Sequence, residues 1–281
     1  MKKTILAVLV AAMAMPAMAQ LQDINEKKLS VGVRAGVTIG GLTGLSDIMN
    51  YNPLGVAPLN PYDSKAGAGI SFGVVFNTRI NDWLYIQPGL EYAMLSSKAT
   101  LDITDQNDLA TEGYSEWKFK TIARGHYLRI PILASFRINF DKCQLQVNTG
   151  PYLAVALAAR QIDTETYTFD ASQPLLSGWS ETNKTINDPL RKQNHYANDP
   201  TNGNLAEIEE YSAFNRFDVG WDIGLAVNYK NIVFGAKYNV GFVNMLNEDM
   251  FNKINAGNPG DVQFDKSMRN SSFSISVGYD F

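Results

Sequence analysis

The last eleven residues, Ser271 to Phe281, alternate without a break. Phe273, Ile275, Val277, Tyr279 and Phe281 share one parity, and Ser272, Ser274, Ser276, Gly278 and Asp280 share the other. Successive strand side chains point to opposite faces, so this pattern predicts one β-strand with an apolar face and a small, polar face. Seven earlier segments repeat it. The first runs from Leu29 to Gly40, with Val31, Val33, Val37 and Ile39 against Ser30, Gly32, Arg34 and Thr38. The second sets Ile70, Phe72, Val74 and Phe76 against Ser71, Gly73, Asn77 and Arg79; the third sets Leu84, Ile86, Leu90, Tyr92 and Met94 against Tyr85, Gln87, Gly89 and Glu91. In the fourth, Leu128, Ile130, Ile132 and Phe136 oppose Tyr127, Arg129, Leu133 and Ser135; in the fifth, Leu145, Val147, Leu153 and Leu157 oppose Gln146, Asn148, Gly150 and Tyr152. The sixth places Val219, Trp221, Ile223 and Leu225 opposite Asp218, Gly220, Asp222 and Gly224, and the seventh places Phe234, Tyr238, Val240 and Phe242 opposite Gly235, Lys237 and Asn239. Pro88 and Pro131 lack a ladder donor, which predicts register irregularities at those two places.

The connections alternate as well. Tight turns near Arg79–Asp82, Asn139–Lys142 and Tyr229–Asn231 take turns with long polar segments near 41–65, 97–118, 160–212 and 244–268. Short periplasmic turns and long external loops are the pattern of outer-membrane barrels, with both termini on the periplasmic side. The expected fold is therefore all-β: an eight-stranded antiparallel up-and-down transmembrane β-barrel with long external loops. Alternation alone does not say which face is outside. An eight-stranded barrel has only enough interior for side chains to fill it, so the Gly, Ser and Ala of the polar face belong inside. The Val, Ile, Leu and aromatic face, almost free of charge, suits lipid. A soluble lipocalin-like barrel, with the apolar face inside, is the alternative.

Charges on the inner face fall into two equal sets. Arg34, Arg79, Arg129 and Lys237 are positive, and Glu91, Asp218, Asp222 and Asp280 are negative. An unpaired buried charge is costly, so these eight are expected to pair with one another. One reading is an ion or substrate path; the other, favoured by the size of the barrel, is a salt-bridged plug that fills the lumen. Between the extended ends of the fifth and sixth strands (Gln161–Phe169 and Ala206–Phe214, expected to pair as a hairpin) lies a small apolar cluster, Leu175, Leu176 and Trp179. It either contacts a partner or packs down over the barrel mouth, and packing is the favoured reading. Lys98–Thr104 and Tyr114–Thr121 are expected to extend the third and fourth strands in the same way.

Composition narrows the class further. Met1-Lys2-Lys3, an apolar stretch to Ala14 and the small-x-small Ala17-Met18-Ala19 predict a cleaved signal peptide over residues 1–19, followed by a short periplasmic segment over 20–28 and the barrel domain over 29–281. The apolar run is shorter than the ~20 residues of a spanning helix, which disfavours a retained anchor. One cysteine, Cys143, allows no internal disulfide. A net charge of −4 leaves no basic footprint for nucleic acid.

Several pieces resemble the PorT-type outer-membrane β-barrel family, common in Bacteroidetes: Gly32-Val33-Arg34-Ala35-Gly36, Ile86-Gln87-Pro88-Gly89-Leu90-Glu91-Tyr92, Tyr127-Leu128-Arg129-Ile130-Pro131-Ile132, Asn148-Thr149-Gly150-Pro151-Tyr152 and Phe214 to Gly220, with Tyr238 to Asn244 and the terminal strand. The resemblance implies an integral barrel of the Gram-negative outer membrane with an interior closed by side chains, and links some relatives to protein secretion.

Functional chemistry is sparse. His126 and His195 are far apart, lack metal-site spacing and have no nucleophile-elbow pattern beside them, so no enzyme activity, cofactor or metal is expected. Asp102, Asp105 and Asp108 lack the alternating ligands and glycine of a calcium loop. The expected function is an interaction, structural or secretion-accessory role through the loops, with porin-like passage of small solutes as the alternative. Expected partners are outer-membrane lipid, an envelope protein, and the barrel-assembly machinery through the strand ending in Phe281.

Overall fold

The computed structural model describes residues 28–50, 61–103, 114–170, 172, 175–198, 205–249 and 267–281. The predicted signal peptide, and Asp105 and Asp108, lie outside them. Eight strands form a closed antiparallel ring: β1 (Leu29–Thr43), β3 (Ala68–Arg79), β4 (Leu84–Ile103), β5 (Tyr114–Asn139), β6 (Gln144–Phe169), β10 (Phe217–Tyr229), β11 (Ile232–Gly241) and β12 (Arg269–Asp280). Each pairs with its neighbour in that order, β10 continues from β6, and β12 returns to β1, so the wall has no free edge. No helix among the described residues is long and apolar enough to cross a membrane; this chain crosses with strands.

The alternation read in the sequence is turned inside out relative to a soluble barrel. Val37, Ile39, Ile70, Phe72, Leu90, Ile130, Ile132, Leu153, Trp221, Ile223, Leu225, Ile275 and Val277 all point outward and are exposed, while Thr38, Asn77, Gln87, Ser135, Gln146, Asp222, Asn239 and Ser274 are buried inside. Small inner residues are a packing requirement at specific points. A Cβ on Gly220 would meet the Val240 carbonyl oxygen at 2.2 Å and the Tyr152 ring at 2.5 Å. The β10–β11 turn closes over Lys230 and Asn231, both at positive φ, between the paired Tyr229 and Ile232; this is the two-residue geometry that matches strand twist.

Both prolines sit inside strands, and the pairing does not slip at either. Across β4–β5 the register is the same on the two sides of Pro88 and Pro131, from Pro88↔Ile132 to Glu91↔Arg129. The ladder drops a rung instead, because a one-residue slip would exchange the lipid and lumen faces of a whole strand. The β5–β6 register shifts occur elsewhere, between His126 and Tyr127 and between Tyr114 and Glu116.

Three strands run well past the ring on the side of the long loops. β4 and β5 stay paired out to Ile103↔Trp117, and β5 and β6 out to Tyr114↔Phe169. The expected pairing of 161–169 with 206–214 does not form. The chain reverses at Gly178, whose φ is +79°, and returns as β7 (Ser180–Asn187) along β6. A local hairpin closes a far shorter loop than the distant segment would. Residues 205–211 form β9 (Leu205–Tyr211), which pairs with β8 (Gln193–Asn198) in a separate hairpin. A short β2 (Asp63–Ala66) lines the other side of the extension against β4, and a five-residue helix α1 (Leu45–Met49) follows β1.

Candidate functional site

The lumen holds the charges the alternation sends inward, and the registers decide who meets whom. Glu91 on β4 lies directly opposite Arg129 on β5. Arg129 donates to Glu91 at 3.1 Å and, past the intervening β6, to Asp222 on β10 at 2.7 Å. Lys237 on β11 donates to the other Glu91 oxygen at 2.5 Å and stands 3.4 Å from Asp222 Oδ2. Two cations and two anions thus tie opposite walls together, and the Arg129 guanidinium lies 4.0 Å from the centre of the Tyr152 ring. Burial removes these groups from water, so their mutual pairing offsets a desolvation cost of several kcal/mol per ion.

Two smaller clusters flank this square. Towards the tight turns, Arg34 donates to Asp280 at 2.6 Å, a contact set by Gly32↔Asp280 and Arg34↔Gly278 in the β1–β12 register. Towards the long loops, Asp218 accepts from Tyr152 Oη at 3.0 Å and from Asn270 at 2.9 Å. Arg79 sits at the β3–β4 turn with exposed Asp82, away from the central square. Arg137 is a buried cation that the sequence reading missed. It donates to Asn77 at 2.7 Å and stacks 3.7 Å over the Tyr85 ring. The signal was present: the fourth segment ends at Phe136 in the sequence reading, and one more step of alternation turns Arg137 inward.

A second packed group stands at the outer end of the lumen. Leu190, Met245, Leu246 and Met268, all buried, pack with Tyr127, Tyr152 and Ala156 of the wall and with Leu45 of α1, and Phe214 leans on them. Their backbone is pinned: Asn215 Nδ2 donates to the carbonyls of Asn244 and Leu246, and Arg216 donates to the Leu190 carbonyl. Leu175, Leu176 and Trp179 do not cover the mouth. Leu175 and Trp179 are 93% and 70% exposed at the tip of the β6–β7 hairpin. They are carried away from the mouth because β6 continues straight into that hairpin. Between square and periplasmic end remains a cavity of about 90 Å³ lined by Arg34, Glu91, Asn148, Asp222 and Lys237, among others, room for about three waters.

Other sequence candidates lie elsewhere. The His126 Nδ1 is 2.5 Å from Tyr92 Oη on the outer surface, His195 lies on β8 opposite Ile208, and Asp102 ends β4 opposite Lys118. Cys143 is a half-buried free thiol at the β5–β6 turn. Among the described residues no group of three or more His, Cys, Asp or Glu is placed to hold a metal. On the extension, burial pushes the Tyr62 phenol up from its ordinary value, and the carboxylates of Glu165 and Asp163 add to the shift.

A closed ring of eight strands, lipid-compatible outside and polar inside, coincides with a match over residues 18–247 to the family described as outer membrane protein beta-barrel domain. The chain belongs to that family. As a member, it resides in the outer membrane of a Gram-negative bacterium. The family match ends before β12, whose pairing with β1 and β11 completes this barrel. No curated protein matches the chain. Solved outer-membrane structures are distantly similar. The attachment invasion locus protein Ail of Yersinia pestis is 12% identical, over 91% of this chain and all of that one, with a TM-score of 0.34. Neisserial surface protein A is 12% identical over the same shares, with a TM-score of 0.30. OprG from Pseudomonas aeruginosa is 10% identical over 92% of this chain and 99% of that one, with a TM-score of 0.37.

Proposed function

We propose that this barrel is a closed, non-conducting anchor that presents an extracellular β-sheet extension to a partner protein of the envelope. The carrying observation is a lumen blocked twice: by the Arg129–Glu91–Lys237–Asp222 square and by the apolar cap of Leu190, Met245, Leu246 and Met268. Moving a solute through would mean breaking paired charges and a packed core in succession. The extension instead offers a projecting surface with an exposed apolar tip at Leu175, Leu176 and Trp179. Exposed apolar residues clustered at a loop tip are a feature of contact sites. The resemblance to PorT-type barrels makes a secretion-accessory partner the favoured kind.

A photo-cross-linking residue at Trp179, tested in intact cells, checks this reading. A discrete adduct with one envelope protein is expected, and its loss with Leu175→Ser and Leu176→Ser present. Cross-links only to bulk lipid, or none, would overturn the interaction role.

A further inference from the structure

The outward face of the extension carries a different chemistry from the lumen. Along β4, β5, β6 and β7 the pairing lines up Ser96, Arg124 and Arg160 in one row, Lys98, Ile122, Ile162 and Ile186 in the next, and Thr100, Lys120, Thr164 and Lys184 in a third. Below them, on the same face of β5, run His126, Leu128, Ile130, Ile132, Ala134 and Phe136. A tilted transmembrane strand crosses the hydrocarbon in ~9–11 residues, which is the distance from Phe136 to His126. Arg124 is the first outward position above that span, and Arg160 stands directly across from it. This row therefore lies at the headgroup level of the outer leaflet.

Two exposed arginines directly opposite one another in a ladder repel, at a Cβ separation of about 5 Å. Within the described residues neither has a carboxylate partner, and the same holds for Lys98, Lys120 and Lys184. The acidic groups nearby are engaged or higher up: Asp188, one step past the Gln161↔Asn187 pair, accepts from the Leu190 N–H, Asp63 pairs with Lys65, Glu116 pairs with Lys118, and Asp102 faces Lys118. Five unpaired cations thus share one face of a chain whose net charge is −4. Asp163 and Glu165 project on the opposite side: Asp163 accepts from Thr121, which is buried, and both raise the Tyr62 phenol. Cations interleaved with the isoleucines Ile122, Ile162 and Ile186 suit a boundary between lipid and water, where long basic side chains keep their charge at the polar level.

We propose that this face is a binding site for a phosphorylated lipid headgroup of the outer leaflet, with Arg124 and Arg160 clamping the phosphate and Lys98, Lys120 and Lys184 holding further anionic groups of the same lipid. Guanidinium groups bond phosphate oxygens in pairs, and an anion between them removes the repulsion the ladder otherwise builds in. Continuity with the lipid-facing wall selects a membrane lipid over a soluble anion.

The test uses the full chain in phosphatidylcholine nanodiscs doped with diphosphorylated lipid A or with its dephosphorylated form, washed into detergent, with retained lipid counted by mass spectrometry. The wild-type protein is expected to keep the phosphorylated form selectively. Arg124→Ser, Arg160→Ser and Lys98→Ser together are expected to weaken that retention about a hundredfold, while Lys142→Ser with Lys230→Ser at the opposite rim leaves it unchanged. Equal retention of the two lipids by the wild-type protein would overturn the proposal without any variant. So would full displacement of the lipid by stoichiometric inorganic tripolyphosphate, which would mark a site for soluble polyanions. Unchanged retention by a folded triple variant would overturn it too.

Discussion

Arg129 shows how much a single lumen residue decides. Its guanidinium serves Glu91 on the neighbouring strand and Asp222 two strands away at once, with Tyr152 stacked beneath it. Arg129→Ala leaves two carboxylates facing each other with Lys237 alone between them, and breaking a buried ion network in this way costs about 3–5 kcal/mol. Urea unfolding in detergent micelles should show that loss, whereas Lys118→Ala, at an exposed pair with Glu116, should leave the transition where it is. Equal behaviour of the two variants would remove the structural role from the lumen network. Gly220 offers a complementary check. A valine there drives its side chain into the Val240 carbonyl and the Tyr152 ring, so Gly220→Val should abolish the heat-modifiable gel mobility of the assembled barrel.

At the scale of elements, the cap and the hairpin tip have opposite dependences on the barrel. Met245 and Leu246 are almost fully enclosed, so truncating either to alanine should cost about 2–5 kcal/mol. Leu175→Ser with Trp179→Ser alters only exposed side chains and should leave the unfolding temperature unchanged in the same assay. A drop with the second pair as large as with the first would place the tip back over the mouth. The contrast also marks what the sequence conveys. Ring strands are legible because a strand with lipid on one side and a packed lumen on the other must alternate, and that constraint extends to each inner charge, Glu91, Asp222 and Asp280 included. The cap is illegible because Leu190, Phe214, Met245, Leu246 and Met268 come from irregular segments and are joined only by folding. Arg137 falls between the two cases: it obeys the alternation, one residue beyond Phe136, the last apolar position of its segment. The β6–β7 hairpin was hidden for another reason, since residues 161–169 and 180–187 are mostly polar and lack a sustained apolar alternation to mark a partner.

For the molecule as a whole, closure of the ring depends on its last strand. The Phe281 N–H donates to the Val31 carbonyl at 2.8 Å, and its ring packs edge-on to Tyr279 at 4.9 Å. Deleting Phe281 is expected to lower the amount of assembled protein in the outer membrane without lowering synthesis, read by membrane fractionation and heat-modifiable mobility; unchanged assembly would contradict a role for the Phe281 contacts in closing the ring. A closed lumen separates an anchor for external recognition from a pore. Single-channel recording on the purified protein in planar bilayers tests it most directly. No steady conductance is expected from the wild-type protein at modest voltage, and a stable open level appearing only when Arg129→Ala is combined with Met245→Ala and Leu246→Ala would trace the block to the square and the cap. A steady open channel from the wild-type protein would mean that the square and the cap leave the lumen open.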